Sequence, residues 1–397
     1  MSKILLQIDS CLNVGSTGRI TESIAQLAQN KGWDCYIIHG ARYVKRPSCM
    51  KEIQSISILG EYIHYAEGLF FDNHGLASRK ATKRIVEQIR EIKPDVIQLH
   101  CIHGYYLNYN ILFEYLNSAD IPVVWTFHDC WAFTGHCAHF VTAGCEKWKT
   151  GCFDRPLKGD YPKAIVDPSS RNYYLKKSLF AANNNMHVVA VSEWLANFTR
   201  DSFFCDKDIR VINNGVDITK FKPHSKQVGA KFRIVGVATT WNKDKGLHDF
   251  YELRKLLDDE YEIMLIGMSQ KQVSALPKGI YGITRTESLE ELAKLYSEAD
   301  VFVNPTYADS FPTVNMEALA CGTPVITYKT GGSPEIIDDK TGMVVEQGDI
   351  NGLVSAIQYI TGHPLSSDEC RKRAVEKYNK EDRFMDYINL YESLIKK

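Results

Sequence analysis

Short apolar runs recur at residues 4–8, 35–38, 96–99, 123–127, 188–191 and 209–212, and the stretches between them carry apolar residues at helical spacing. The second half repeats the habit at 233–237, 263–266, 301–303, 324–327 and 343–345. Strands that alternate with helices build parallel sheets with helices on both faces. The expected fold class is therefore α/β, with two Rossmann-like parallel-sheet domains joined near residues 217–229 and facing across a cleft. The expected division is 1–222, 223–378 and 379–397. The last piece reads as an amphipathic helix over 382–397, because Phe384, Tyr387, Ile388, Tyr391 and Leu394 fall on one stripe.

Composition changes this picture little. At 397 residues the chain is too long for one ordinary core, and 44% hydrophobic with 24% charged residues is the balance of a globular protein. A net charge of -1 argues against nucleic acid as a partner. The first 222 residues hold 26 Lys and Arg against 22 Asp and Glu, and the remainder 21 against 26. Arg79, Lys80, Lys83 and Arg84 share one helical face. A solvated surface accounts for them, and weak contact with an anionic membrane is the alternative. No run approaches the roughly 18 to 20 apolar residues of a membrane span. The first ten residues already read as a strand without a basic leader, so the eleven cysteines point to a reducing cytoplasm, the inner membrane face being the peripheral variant.

Candidate chemistry concentrates in residues 304–345, where a tight loop twice meets the start of a helix. The first helix is expected to open near Pro312 and stop at Gly322, with Pro324 barring continuation. Its first N–H groups, beside Ser310, Phe311, Thr313 and Val314, would point outward unpaired and suit a diphosphate. Asp309 in the loop and Glu317 in the helix can flank that ligand and accept hydrogen bonds from sugar hydroxyls. Gly331 and Gly332 permit close backbone approach, and Ser333 and Pro334 begin a second short helix that carries Glu335.

This ordered series resembles the nucleotide-sugar site of the family-4 glycosyltransferases: two acids with seven residues between them, a small-residue run such as 318–324, then Gly-Gly-x-Pro-Glu. Asp309 stands where the family usually has Glu. Ile212, Asn213, Asn214, Gly215, Val216 and Asp217, followed by Phe221-Lys222-Pro223, resemble the family's interdomain turn, and Lys245-Gly246 its phosphate-contacting pair. Thr240 replaces an Arg usual five residues before that Lys. The resemblance implies a GT-B architecture, an acceptor-side domain over 1–222, a donor-side domain over 223–378, and a tail that crosses back.

Further constellations lie in the first half. The loop Asn13 to Arg19, with Gly15 and Gly18, follows the first strand and precedes a helix, which places backbone donors at the sheet's carboxyl edge. Its GxxG spacing is not the dinucleotide fingerprint. His128 and Asp129 end the fourth apolar run, and in the family the matching His approaches the donor sugar. Arg285 sits where relatives line the base pocket. Cys130, His136, Cys137, His139, Cys145 and Cys152 could supply a zinc site, but no CxxC pair preorganises one. The HDCWAFTGHC run resembles that of the colanic-acid-type exopolysaccharide transferases, whose last cysteine is here Arg155. No structural zinc and no metal cofactor is expected.

The expectation that this resemblance implies is a retaining glycosyltransferase of hexosyltransferase type. It would move a sugar from a nucleotide-diphosphate donor to a glycan or lipid-linked glycan in bacterial surface polysaccharide synthesis. Lys245, Asp309 and His128 are the catalytic candidates; Gly15, Gly18, Thr240, Arg285, Ser310, Phe311, Pro312, Thr313, Val314 and Glu317 would bind donor. A sugar-nucleotide epimerase of the same architecture and a nucleotide-sugar-binding regulator without turnover are the alternatives.

Overall fold

A computed structural model describes residues 2–42, 48–156, 161–226 and 231–395. The chain divides into two compact units, Met1–Ile212 with Phe384–Lys397, and Asn213–Arg383. The expected joint at 217–229 lies partly outside the described residues. Its described part belongs to the second unit, because Val216 N–H donates to the Tyr378 carbonyl at 2.7 Å and Lys380 N–H to Val216 at 3.0 Å.

The first unit runs β1 (Ile4–Ile8), α1 (Gly15–Asn30), β2 (Asp34–His39), β3 (Lys51–Gln54), α2 (Ile58–Phe71), α3 (Arg79–Ile92), β4 (Val96–Leu99), α4 (Tyr109–Leu116), β5 (Val123–Phe127), α5 (Ser169–Phe180), β6 (Met186–Ala190), α6 (Glu193–Arg200) and β7 (Asp208–Val211). Its strands form one parallel sheet in the order β3-β2-β1-β4-β5-β6-β7. The hydrophobic pattern misses β3. Only Ile53 of its four residues is apolar, and at the sheet's edge it pairs with β2 alone, so little selects for burial.

The second unit runs β8 (Phe232–Val237), α7 (Leu247–Leu256), β9 (Tyr261–Ile266), α8 (Gln270–Val273), β10 (Ile280–Ile283), α9 (Leu289–Glu298), β11 (Val301–Asn304), α10 (Thr313–Ala320), β12 (Val325–Tyr328), α11 (Ser333–Ile336), β13 (Gly342–Val345), α12 (Ile350–Gly362) and α13 (Ser367–Tyr378). Its parallel sheet is ordered β10-β9-β8-β11-β12-β13. Pro324, expected inside a strand, instead precedes β12: it has no N–H for the ladder, though its carbonyl accepts from Phe302 N–H at 2.8 Å.

The final helix, α14 (Lys380–Ile395), starts in the second unit and ends in the first. Phe384, Tyr387, Ile388, Leu390, Tyr391 and Leu394 pack in one core with Leu5, Ile24, Trp33, Val96 and Val124. The Tyr391 hydroxyl bonds the buried Gln98 side chain, so the tail supplies both apolar surface and a partner for a polar group inside the sheet.

Candidate functional site

In the second unit, β8, β11 and β12 deliver three loop-to-helix junctions to the carboxyl edge of one sheet. After β11, Pro312 occupies the cap position, Thr313 is the first helical residue and no side chain caps α10. The terminus therefore offers backbone donors to a ligand. The loop before it is fixed from two sides. The Phe311 carbonyl accepts from Asn214 Nδ2 at 3.3 Å, and the Phe311 ring meets that of Tyr378 edge-on at 6.0 Å.

The turn after β12 lies directly on that loop. Gly332 N–H donates to the Ser310 carbonyl at 3.0 Å. Gly331 has φ +56°, and a Cβ there would fall 1.7 Å from the Asp309 carbonyl oxygen, so only glycine fits. Buried at this seam, the Ser310 and Ser333 hydroxyls have no hydrogen-bond partner among the described residues. Unpaired buried polar atoms are rare in proteins, and a ligand's phosphate or hydroxyl would satisfy them.

The third junction brings in a cation. Asn242 Oδ1 accepts from Lys245 N–H at 3.1 Å, and the Asp244 carbonyl accepts from Tyr307 N–H at 2.7 Å and Thr306 Oγ1 at 3.1 Å, which staples this turn to the loop after β11. Lys245 Nζ then donates to Asp309 Oδ2 at 2.7 Å, with both side chains part-exposed. Glu317 sits one turn into α10, nearly buried, and Tyr296 of α9 donates its hydroxyl to Glu317 Oε2 at 3.2 Å. Tyr296 escaped the sequence reading, because it looks like an ordinary apolar position of an amphipathic helix. Thr240 is exposed in the loop after β8, near the head of this group in sequence. Arg285 is exposed beyond the edge strand β10.

The first unit gathers a separate group at its own carboxyl edge. His128 follows β5 and stacks on His100, which follows β4, with Nε2 and Nδ1 3.1 Å apart. Burial is the main cause that lowers the His128 pKa to about 4, Asp129 opposing it, so the ring is neutral near pH 7. Asp129 accepts from His103 Nε2 at 2.9 Å. Burial disfavours its charge, but His103 and the Trp131 N–H outweigh this and hold the carboxyl below its usual range. Asp9, directly after β1, is fully buried and is pushed up to about 6 by that burial, with the Thr21 hydroxyl bond opposing it. Asp9, His100 and His103 were not singled out from sequence. Two of them nevertheless directly follow an apolar run, the placement that drew attention to His128.

One expectation here needs correction. The Asn13 to Arg19 stretch is not a loop: α1 already begins at Gly15, because Gly18 lets the first turn pack onto Cys11 and Asn13, where a Cβ would lie 3.1 Å from Cys11 Cβ. Gly15 and Gly18 thus lie inside the helix start. In the 130–152 segment, His136 Nδ1 bonds Asp72 at 2.7 Å and Cys152 Sγ accepts from Gly135 N–H at 3.0 Å. Arg155, standing in for the subgroup's last cysteine, is buried and donates to the carbonyls of Ala164 and Val166 at 2.8 Å. Among the described residues no three His, Cys, Asp or Glu converge as a metal site.

Two parallel sheets with phosphate-type loop-helix junctions define a class. Sucrose-phosphate synthase from Thermosynechococcus elongatus superposes with a TM-score of 0.72 at 18% identity over 99% of each chain. Anabaena HepE in complex with UDP does so with a TM-score of 0.65 at 14% identity over 98% of this chain and all of that one. The fold is that of the GT-B glycosyltransferases. Residues 17–220 match the model of Glycosyltransferase Family 4 and residues 231–363 that of Glycosyl transferases group 1. The chain belongs to glycosyltransferase family 4. It is 27% identical over 324 residues to WcaC of Escherichia coli K12, provisionally named a colanic acid biosynthesis glycosyl transferase, with 77% of this chain and 78% of that one covered.

Proposed function

We propose that the protein is a retaining glycosyltransferase of hexosyltransferase type. It moves a sugar from a nucleoside-diphosphate donor to a glycan or lipid-linked glycan during synthesis of a bacterial surface polysaccharide, without a metal cofactor. The observation that carries the donor assignment is the seam in the second unit: an uncapped α10, the Lys245–Asp309 pair, and the unpartnered Ser310 and Ser333 hydroxyls. Family membership, the UDP bound by HepE and the WcaC name support the substrate classes.

In this reading the diphosphate draws Lys245 away from Asp309 and lies over the N–H groups of Phe311, Thr313 and Val314. Asp309, released, accepts from hydroxyls of the donor sugar. The chief difficulty of the reaction is the charge that develops on the departing nucleoside diphosphate. Lys245 and the oriented N–H groups meet it without reorganisation. Glu317, steadied by Tyr296, accepts from the ribose, and neutral His128 serves as a hydrogen-bonding group to donor or acceptor hydroxyls. Thr240 and Arg285 complete the donor pocket.

Isothermal titration with a panel of nucleotide sugars tests the assignment. Each lost hydrogen bond to a charged acceptor costs roughly 1.5 to 3 kcal/mol, so Glu317→Ala should weaken the preferred donor at least tenfold with the fold intact. Wild-type affinity in that variant would remove the site from the donor. Donor hydrolysis without acceptor separates a transferase from a binding regulator, and analysis of the released sugar exposes an epimerase.

A further inference from the structure

Helix α2 has its outward face turned to solvent although that face is almost wholly apolar. Glu61, His64 and Gly68 face the protein and are buried. On the opposite side of the wheel lie Ile58, Leu59, Tyr62, Ile63 and Phe70, each more than half exposed. A surface helix normally turns polar residues outward, and one that is apolar all round belongs in a core or a membrane. The apolar surface continues beyond the helix. Ile165 N–H donates to the Leu69 carbonyl at 2.8 Å, which sets exposed Ile165 and Val166 against the last turns of α2. Contiguous apolar patches of this kind mark docking surfaces.

Charge around the patch selects the occupant. The Arg42 guanidinium lies 5.4 Å from the Tyr62 ring centroid and is held by Glu61 at 2.6 Å. Helix α3 starts beside α2, because Ser78 Oγ bonds His64 Nδ1 at 2.7 Å, and Arg79, Lys80, Lys83 and Arg84 follow immediately, all exposed. Its first turn has no acid, and of the two α2 acids Glu61 is buried, leaving only Glu67 part-exposed. A second copy docking through this face by a two-fold axis would bring like basic rows together. An anionic bilayer satisfies both features, taking the apolar face among its acyl chains and the cations among its headgroups.

We infer that α2 is an interfacial anchor: its Ile58, Leu59, Tyr62, Ile63 and Phe70 face inserts into the surface of an anionic membrane, with α3 supplying the electrostatic attraction. The surface belongs to the first unit and uses none of the donor-site residues, so its failure and that of the donor assignment are distinguishable. Co-sedimentation of the full chain with phosphatidylcholine vesicles, with and without phosphatidylglycerol, tests it. The wild type should pellet with the anionic vesicles and be released as salt rises. L59S/I63S/F70S should lower partitioning at least tenfold while donor affinity and near-ultraviolet circular dichroism stay unchanged. K80E/K83E should lower it by about 25-fold or more on anionic vesicles only, since each basic residue near such a surface contributes about fivefold and the substitution also reverses the charge. A wild type that stays in the supernatant with both vesicles, or a triple-serine variant that pellets like it, overturns the proposal. A dimer by light scattering that the serine variant dissolves, without vesicle binding, assigns the face to a second copy instead.

Discussion

At the residue scale the central pair is Lys245 and Asp309, 2.7 Å apart and part-exposed, so their mutual attraction is screened and easily exchanged for a stronger anion. A diphosphate is such an anion. If Lys245 acts mainly on charge that develops during departure, Lys245→Ala should lower turnover by roughly 10²- to 10³-fold while ground-state donor affinity falls much less. Single-turnover kinetics beside isothermal titration separate the two, and full turnover would remove Lys245 from the chemistry. Gly331 makes a sharper steric prediction. Its left-handed φ costs a side-chain residue about 1 to 2 kcal/mol, and the added Cβ collides with the Asp309 carbonyl. Gly331→Ala should therefore lower the melting temperature by several degrees and weaken donor binding together.

At the scale of elements, α14 shows how a segment remote in sequence completes a core. Six of its side chains are buried with residues of β1, β4, β5 and α1, and each fully buried large apolar side chain contributes about 1.5 to 3 kcal/mol. That sum is comparable with the whole stability of a typical domain, about 5 to 15 kcal/mol. Truncation after Arg383 should leave the first unit unfolded, read as loss of soluble, cooperatively melting protein. Tyr391→Phe, which keeps the ring and removes only the hydroxyl from Gln98, should cost about 1 kcal/mol or somewhat more. A truncated chain that melts like the full one would show the helix to be dispensable.

At the scale of the molecule, acid should act on the first unit. Burial lowers the pKa of His64 and of His128 to about 4, and holds those of His74 and His100 well below the usual histidine value. In the unfolded chain all four titrate near 6.5, so as pH falls below 6.5 the unfolded state binds protons that the folded state refuses. The stability is full above 6.5 and is lost progressively toward pH 4, by up to about 1.4 kcal/mol per pH unit for each group. Asp9, raised to about 6, works in the opposite sense between about 6 and 4 and offsets one of the four. Urea unfolding at pH 7.5 and pH 5 should therefore show a drop of about 2 kcal/mol or more. Five of the six tryptophans lie in the first unit, so fluorescence reports it. An unchanged midpoint would mean that these histidines are hydrated or charged when folded.

The sequence by itself determined the alternation of strand and helix, because strands buried in the middle of a parallel sheet must be largely apolar, as the runs at 4–8, 96–99 and 123–127 are apart from Gln7, Gln98 and Thr126. It also determined where α10 starts and stops, since Pro312 constrains the backbone at one end and Gly322 and Pro324 at the other, and it marked Lys245, Asp309 and Glu317 by their order. Edge strand β3 and the Tyr296 bond to Glu317 were not legible, because each depends on a partner in another element, and the helical state of Gly15 and Gly18 was not, because it depends on the close approach of Gly18 to Cys11 and Asn13. The same holds for the apolar face of α2: in sequence, Ile58 to Phe71 reads like any core helix. Only the tertiary structure decides which of its faces the core already uses, and so which face is left for water or lipid. Local backbone restraints and periodicity are written residue by residue, whereas burial and pairing are properties of surfaces that meet only when the chain has folded.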